Sequence, residues 1–246
     1  MPQYPTLTRL TQTAEDQWGL ITRQQALKSG VSRRTLERLT AEGAVLKKVA
    51  HGVYRLTGAP EPDHQDLRAA WLQLAPAVPG WARKPEQGVV SHRSAAEMYG
   101  VGHLPEERHE FTVATRHQSR RRDVRLHHRK LTDEEWIVLG GLPVTRPARI
   151  ASDLLRDRED PTAVAHIISD SLRNVYEYPG TVADALSPHA GAFGLRRGDG
   201  LALLRWLLDL VGDPQTDLWT SEARTHQERV TDTDRAPAVV GGYPLQ

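Results

Sequence analysis

The sequence predicts an α+β protein built in two parts, and three observations carry that prediction. Two capped helical segments flank a three-residue turn, Gly30-Val31-Ser32, and a strand–turn–strand follows them directly. Beyond a Gly/Pro-rich connection, GAPEPD at 58–63, short apolar strands alternate with amphipathic helices. From Asp160 onward the chain reads helical. The first part, residues 1–58, therefore reads as an N-terminal winged helix-turn-helix. The second, residues 63–212, reads as a larger mixed domain with a small, mainly antiparallel sheet and several helices. Residues 213–246 turn polar, contain Pro and Gly, and are expected to form a partly flexible tail.

Each element of the first part has a local cause. A helix is expected over roughly 6–17. Thr22 with Gln25 three residues on is a capping box, which starts a helix near Arg23. Gly30 ends that helix in a left-handed conformation. Ser32 caps a second helix that runs to about Glu42 and stops at Gly43. In this second helix Leu36 and Leu39 face the core with Val31 and Val45. Arg34 and Arg38 fall on roughly the opposite face, flanked by Arg33 and Glu37. Val45–Val49 and Val53–Leu56 then read as two strands joined at Ala50-His51-Gly52, the wing.

That arrangement presents the second helix to a major groove by its N-terminal turn. Arginine there can bind guanine through two hydrogen bonds or hold a phosphate. The candidate contacts to double-stranded DNA are thus Arg23, Arg33, Arg34, Thr35 and Arg38, with Lys47, Lys48 and His51 on or near the wing.

In the second part, HQDLRAAWLQLA reads as an amphipathic helix, and QGVVSHRSAAEMYGVG as a buried strand running into a helix that Gly100 ends. Strands Glu110–Ala114 and Val124–His128 flank a basic loop. Two more short strands surround Gly140-Gly141, and a helix follows with Pro147 at its first position. Asp160 and Pro161 open a helix with an apolar stripe of Val164, Ile167, Ile168 and Leu172. GLALLRWLLDLVG is apolar nearly all round and is expected to be buried; Arg205, Asp209 and its shortness exclude a membrane span.

The chain holds 32 Lys and Arg against 31 Asp and Glu, but unevenly. Residues 1–60 carry a net +5 and residues 116–130 a net +6, whereas 61–115 and 131–246 carry −3 and −7. Two basic segments on an otherwise acidic chain predict two surfaces that face polyanions. The second comprises Arg116, Arg120, Arg121, Arg122 and Arg125, and it fits DNA, an acidic partner protein or solvent alike. With no cysteine there is no disulfide, no thiolate metal site and no cysteine nucleophile, which fits a reducing cytoplasm. MPQYPTLTRL lacks a basic segment leading into an apolar one, so no secretory signal is expected.

Other chemistry-bearing residues read as structural. SHRSAAE gathers Ser91, His92, Ser94 and Glu97 but has no nucleophile elbow, and a strand end with Ser91 as helix cap accounts for it. His127 and His128 are adjacent on a strand and point to opposite faces, a poor metal pair. Asp153 and the acidic stretch 131–135 offer carboxylates for a nuclease, with Lys130 as the one nearby lysine. No catalytic residue, metal or cofactor is expected.

Four stretches taken together, GLITRQQALKSGVSRRTLERLTAEGAVLKKVAHGVYRL, GVVSHRSAAEMYGVGHLP, EFTVATRHQSRRRDVRLHH and LPVTRPARIASDLL, resemble the AbiEi-type antitoxins of bacterial abortive-infection toxin–antitoxin pairs, over roughly residues 15–175. The resemblance implies a winged helix-turn-helix that binds inverted repeats in its own promoter and represses it. It also implies a C-terminal domain that counteracts a cognate nucleotidyltransferase-type toxin, by contact or functionally, as part of phage defence. Arg33, Arg34, Thr35 and Arg38 match the recognition helix, and Lys47, Lys48 and His51 the wing. The residues also fit a winged-helix regulator whose second domain senses a ligand or mediates assembly and, less well, a DNA-targeted nuclease. No heptad or long apolar strip is present, so a monomer binding paired half-sites is expected.

Overall fold

The computed structural model of the chain describes residues 4–41, 45–115 and 121–235. They form two compact units, Met1–Gly100 with Leu104–Thr145, and Val101–His103 with Arg146–Gln246. The division falls after Thr145, not at 58–63.

The first unit opens with α1 (Tyr4–Glu15), β1 (Leu20–Thr22), α2 (Arg23–Lys28), α3 (Arg33–Thr40), β2 (Leu46–Ala50) and β3 (Val53–Leu56). Strand β3 lies between β1 and β2 and pairs antiparallel with both. The third strand, β1, has no signature of its own in the sequence, because three residues are too few to show a period. Leu10, Ala14, Ile21, Ala26, Val31, Leu36, Leu39 and Leu46 form one core beneath the helices. Val45, expected to face inward, is 38% exposed, and Leu46 takes the core position instead. Strand β2 thus starts one residue later than its sequence suggests, and in a strand a slip of one exchanges the faces.

The same unit continues with α4 (Gln65–Leu74), β4 (Val89–Val90), α5 (His92–Tyr99), β5 (His109–Val113), β6 (Val124–His128), β7 (Trp136–Leu139) and β8 (Leu142–Thr145). The five strands order as β6-β5-β4-β8-β7. The expected mainly antiparallel sheet is in fact mixed: β5–β6 and β4–β8 are parallel, β4–β5 and β7–β8 antiparallel. Within this sheet β7–β8 is a tight hairpin. Its turn residues Gly140 and Gly141 have φ of +56° and +82°, which a two-residue turn of this hand demands and glycine alone adopts at little cost.

Contacts tie the residues on either side of GAPEPD together. The indole of Trp18, just before β1, donates to the Gly140 carbonyl at 3.1 Å. Arg68 of α4 donates to the same carbonyl at 2.8 Å and lies 4.4 Å above the Trp18 ring. Arg83 closes the end of α4, donating to the carbonyls of Trp71 and Leu72, which a helix end leaves without helical partners, and to that of Ala75. Burial pushes its guanidinium pKa down to about 10.

The second unit is helical: α6 (Pro147–Arg156), α7 (Pro161–Arg173), α8 (Pro179–Leu186), α9 (Gly200–Leu210) and α10 (Thr216–Arg235). Asp160 accepts from the Thr162 amide at 3.2 Å, and Val164, Ile167, Ile168 and Leu172 are buried, as their spacing requires. Helix α9 is buried on one face only, through Leu203, Leu204, Leu207 and Leu208, while Trp206 and Leu210 are exposed. The stretch expected to be a tail carries α10 up to Arg235; the remainder of 213–246, from 236, lies outside the described residues. Among the described residues no helix is long and apolar enough to cross a membrane.

Candidate nucleic-acid interface

The α2–turn–α3 unit is built as its capping residues dictate. The Thr22 hydroxyl accepts from the Gln25 amide at 3.1 Å, and the Gln25 side-chain carbonyl accepts from the Thr22 amide at 3.0 Å. Gly30 turns the chain with φ of +93°. Ser32 accepts from the Thr35 amide at 3.1 Å and also meets the Thr35 hydroxyl at 2.9 Å, so Thr35 is half-buried within the cap. Leu36 and Leu39 point into the core. Arg33, Arg34 and Arg38 are all exposed, and no ion pair ties any of them to another described residue. The expected stop at Gly43 lies outside the described residues.

The hairpin carries exposed Lys47 and Lys48 on β2, an edge strand that leaves both side chains in solvent. Its tip is docked. The Gly52 carbonyl accepts from the Arg23 amide at 2.8 Å, and the His51 carbonyl accepts from Gln73 Nε2 at 2.6 Å. The His51 ring and Arg23 are exposed.

A segment following α4 runs along α2. Gln25 Nε2 donates to the Val78 carbonyl at 3.0 Å, Lys28 Nζ to Ala77 at 3.1 Å, and the Thr22 hydroxyl to Pro76. Gln17 and Gln25 exchange two amide hydrogen bonds of 3.0 Å in the interior, and Gln17 Oε1 also accepts from the Gly80 amide at 2.7 Å. Sequence reasoning found Gln25 only as a cap. Gln17, eight residues away and on no shared helix face, offered no signal.

Of the second basic segment, Arg116 and Arg120 lie outside the described residues. Arg122 and Arg125 are exposed. Arg121 forms a two-point pair with Asp123, Nε to Oδ1 at 2.9 Å and a second bond to Oδ2. The Arg121 hydrogen bonds hold the Asp123 carboxyl below its ordinary value. A cleft of about 650 Å³ is lined by Arg23, Gln24, His51, Gln73, Arg121 and Asp123. It brings the start of α2, the hairpin tip and the second basic segment together, which no local feature of the sequence foretold.

The other chemistry-bearing residues are joined to one another by hydrogen bonds, ion pairs and ring stacking. Ser91 occupies the cap position of α5 but makes no side-chain cap bond; its buried hydroxyl lies 3.0 Å from His92 Nδ1. Glu110 is 2.5 Å from His127 Nε2, and His92 stacks on His127 with ring centroids 3.4 Å apart. Ser94 hydrogen-bonds Glu106, which also meets His109 at 3.1 Å. Burial pushes the Glu106 pKa up, but the bonds from His109 and Ser94 outweigh it and the net direction is down. His127 is half-buried and its neighbour His128 exposed. Asp153 is buried between Arg149, at 2.7 Å, and Arg156.

The helices and three-stranded sheet of the first 57 residues have an order and pairing consistent with a winged helix-turn-helix regulator. Residues 9–57 match the family described as transcriptional regulator, AbiEi antitoxin. The match runs from within α1 to the residue after β3. A comparison with curated proteins finds no match.

Proposed function

We propose that the chain is a DNA-binding autorepressor and antitoxin: a winged helix-turn-helix that places α3 in a major groove and Lys47, Lys48 and His51 on phosphates. One observation carries the reading. Arg33, Arg34 and Arg38 project into solvent from a helix whose other face, Leu36 and Leu39, is locked into the core, within a segment that matches transcriptional regulators. The target is an inverted repeat in the chain's own promoter, bound by monomers on paired half-sites. The antitoxin half rests on the family description and on the resemblance of residues 15–175; its object is a cytoplasmic nucleotidyltransferase-type toxin.

Fluorescence anisotropy with the gene's upstream duplex and a shuffled duplex, at two salt concentrations, tests the DNA half. Arg34→Ala is expected to cost about 1–3 kcal/mol on the upstream duplex and to relax sequence preference. Lys48→Ala should weaken both duplexes alike and flatten the salt dependence by about one unit. Equal losses on both duplexes from both variants would remove Arg34 from base reading. For the antitoxin half, co-expression with a nucleotidyltransferase-type toxin encoded beside the gene should restore growth, and continued growth arrest would refute it.

A further inference from the structure

We infer that the DNA backbone also crosses the cleft between the hairpin tip and the start of β6, so that Arg121 belongs to the DNA-binding surface and is not a separate site. The inference rests on the winged-helix reading and extends it to a segment some seventy residues beyond the hairpin.

The cleft itself makes the argument. Its two arginines come from the two basic segments of the chain, Arg23 at the start of α2 and Arg121 before β6. Neither wall is a loose end. The Gly52 carbonyl holds the Arg23 amide, Gln73 holds the His51 carbonyl, and Asp123 fixes the plane of the Arg121 guanidinium. Residues 121–130 hold five Lys and Arg against the single acid Asp123, so the ground continuing from the cleft is basic as well. In the winged-helix reading the hairpin tip and the start of α2 stand at the backbone, and Arg121 is their neighbour across about 650 Å³ of open space. Duplex phosphates are the partner this charge and placement fit. Asp123 is the one group in the cleft that opposes them, which gives the inference a sign in each direction.

The test uses the full chain, the upstream and shuffled duplexes, and salt at 50 and 200 mM, with circular dichroism to confirm that each variant is folded. Arg121→Ala is expected to weaken both duplexes alike. One lost phosphate contact lowers the salt slope by about 0.9, so between the two salts this variant should lose about three- to fourfold less affinity than the parent. Arg121→Lys, which keeps the charge but not the two-point pair with Asp123, should keep the parent's salt slope. Asp123→Asn should tighten both duplexes. If Arg121→Ala and Asp123→Asn bind like the parent while Arg34→Ala does not, the inference is overturned and the winged-helix reading stands. If the parent shows no duplex binding at all, both fall.

Discussion

At the scale of single residues the α2–turn–α3 unit depends on Gln25 as much as on any arginine. Its side chain closes the capping box, pairs with Gln17 in the interior and reaches the Val78 carbonyl. Gln25→Leu has nearly the right volume but leaves the Gln17 amide and the Thr22 N–H without that partner. A buried polar group so stranded costs about 1–3 kcal/mol. The expected outcome is a lower urea midpoint at unchanged denaturant slope. Arg34→Ala is the opposite case: exposed and tied to no ion-pair partner among the described residues, it should move stability by no more than about 0.5 kcal/mol while weakening DNA binding. A matching loss of stability in both variants would mean that Arg34 is part of the packing. What the sequence made legible at this scale follows the range of each interaction. Thr22, Gln25, Ser32 and Gly30 act on neighbours three to five residues away, and their spacing announced them. The Gln17–Gln25 pair and the bonds to 76–80 join residues with no shared period. Val45 and Leu46 are both apolar, so the strand register between them could not be read.

At the scale of elements, α10 shows how a polar sequence is made helical from outside. The stretch lacks a strong apolar period, and its anchor lies in the residue-level chemistry of the preceding turn. Asp213 accepts from the Ser169 hydroxyl at 2.5 Å and from the Gln215 amide at 2.8 Å, and meets Arg173 at 3.1 Å. Thr216 closes the turn onto the Asp213 carbonyl, and Thr220 and Ala223 face inward. Burial alone raises the Asp213 pKa, but the Ser169, Gln215 and Arg173 contacts outweigh it, so the folded value lies below the ordinary 3.8. The sign for stability follows. A depressed carboxyl contributes fully above its unfolded value and loses that contribution as pH falls through the folded one. Asp213→Asn should therefore be less stable than the parent near neutrality and should decline less steeply below about pH 4. Urea unfolding across that range reads both. Parallel profiles would show that the ionised carboxylate adds nothing to the turn. The five-stranded sheet carries the complementary lesson: its strands were visible as apolar runs, but their mixed directions depend on how connections return, and composition does not record that.

At the scale of the whole molecule, the composition of GAPEPD suggested a boundary that the packing spans. Trp18 and Arg68 converge on the Gly140 carbonyl, and Thr22, Gln25 and Lys28 are held by carbonyls of residues 76–78. A chain cut at residue 60 would keep the eight-residue core but take the acceptors from Trp18, Thr22, Gln25 and Lys28, and a core that small seldom supplies more than a few kcal/mol. Residues 1–145 retain every one of these partners. The fragment 1–145 is thus expected to unfold in urea as one cooperative transition, followed by the fluorescence of Trp18 and Trp71, whose rings meet at 6.1 Å. On the proposed function it should bind the upstream duplex with the salt slope of the full chain, because α3, the β2–β3 hairpin and the cleft all lie within it. The fragment 1–60 should show no cooperative transition and weak binding with little sequence preference. If 1–60 instead folds and matches the full chain in affinity and slope, the contacts to 76–80 and Gly140 are incidental. The winged segment would then be an independent domain, and the surface that meets DNA would end at the hairpin.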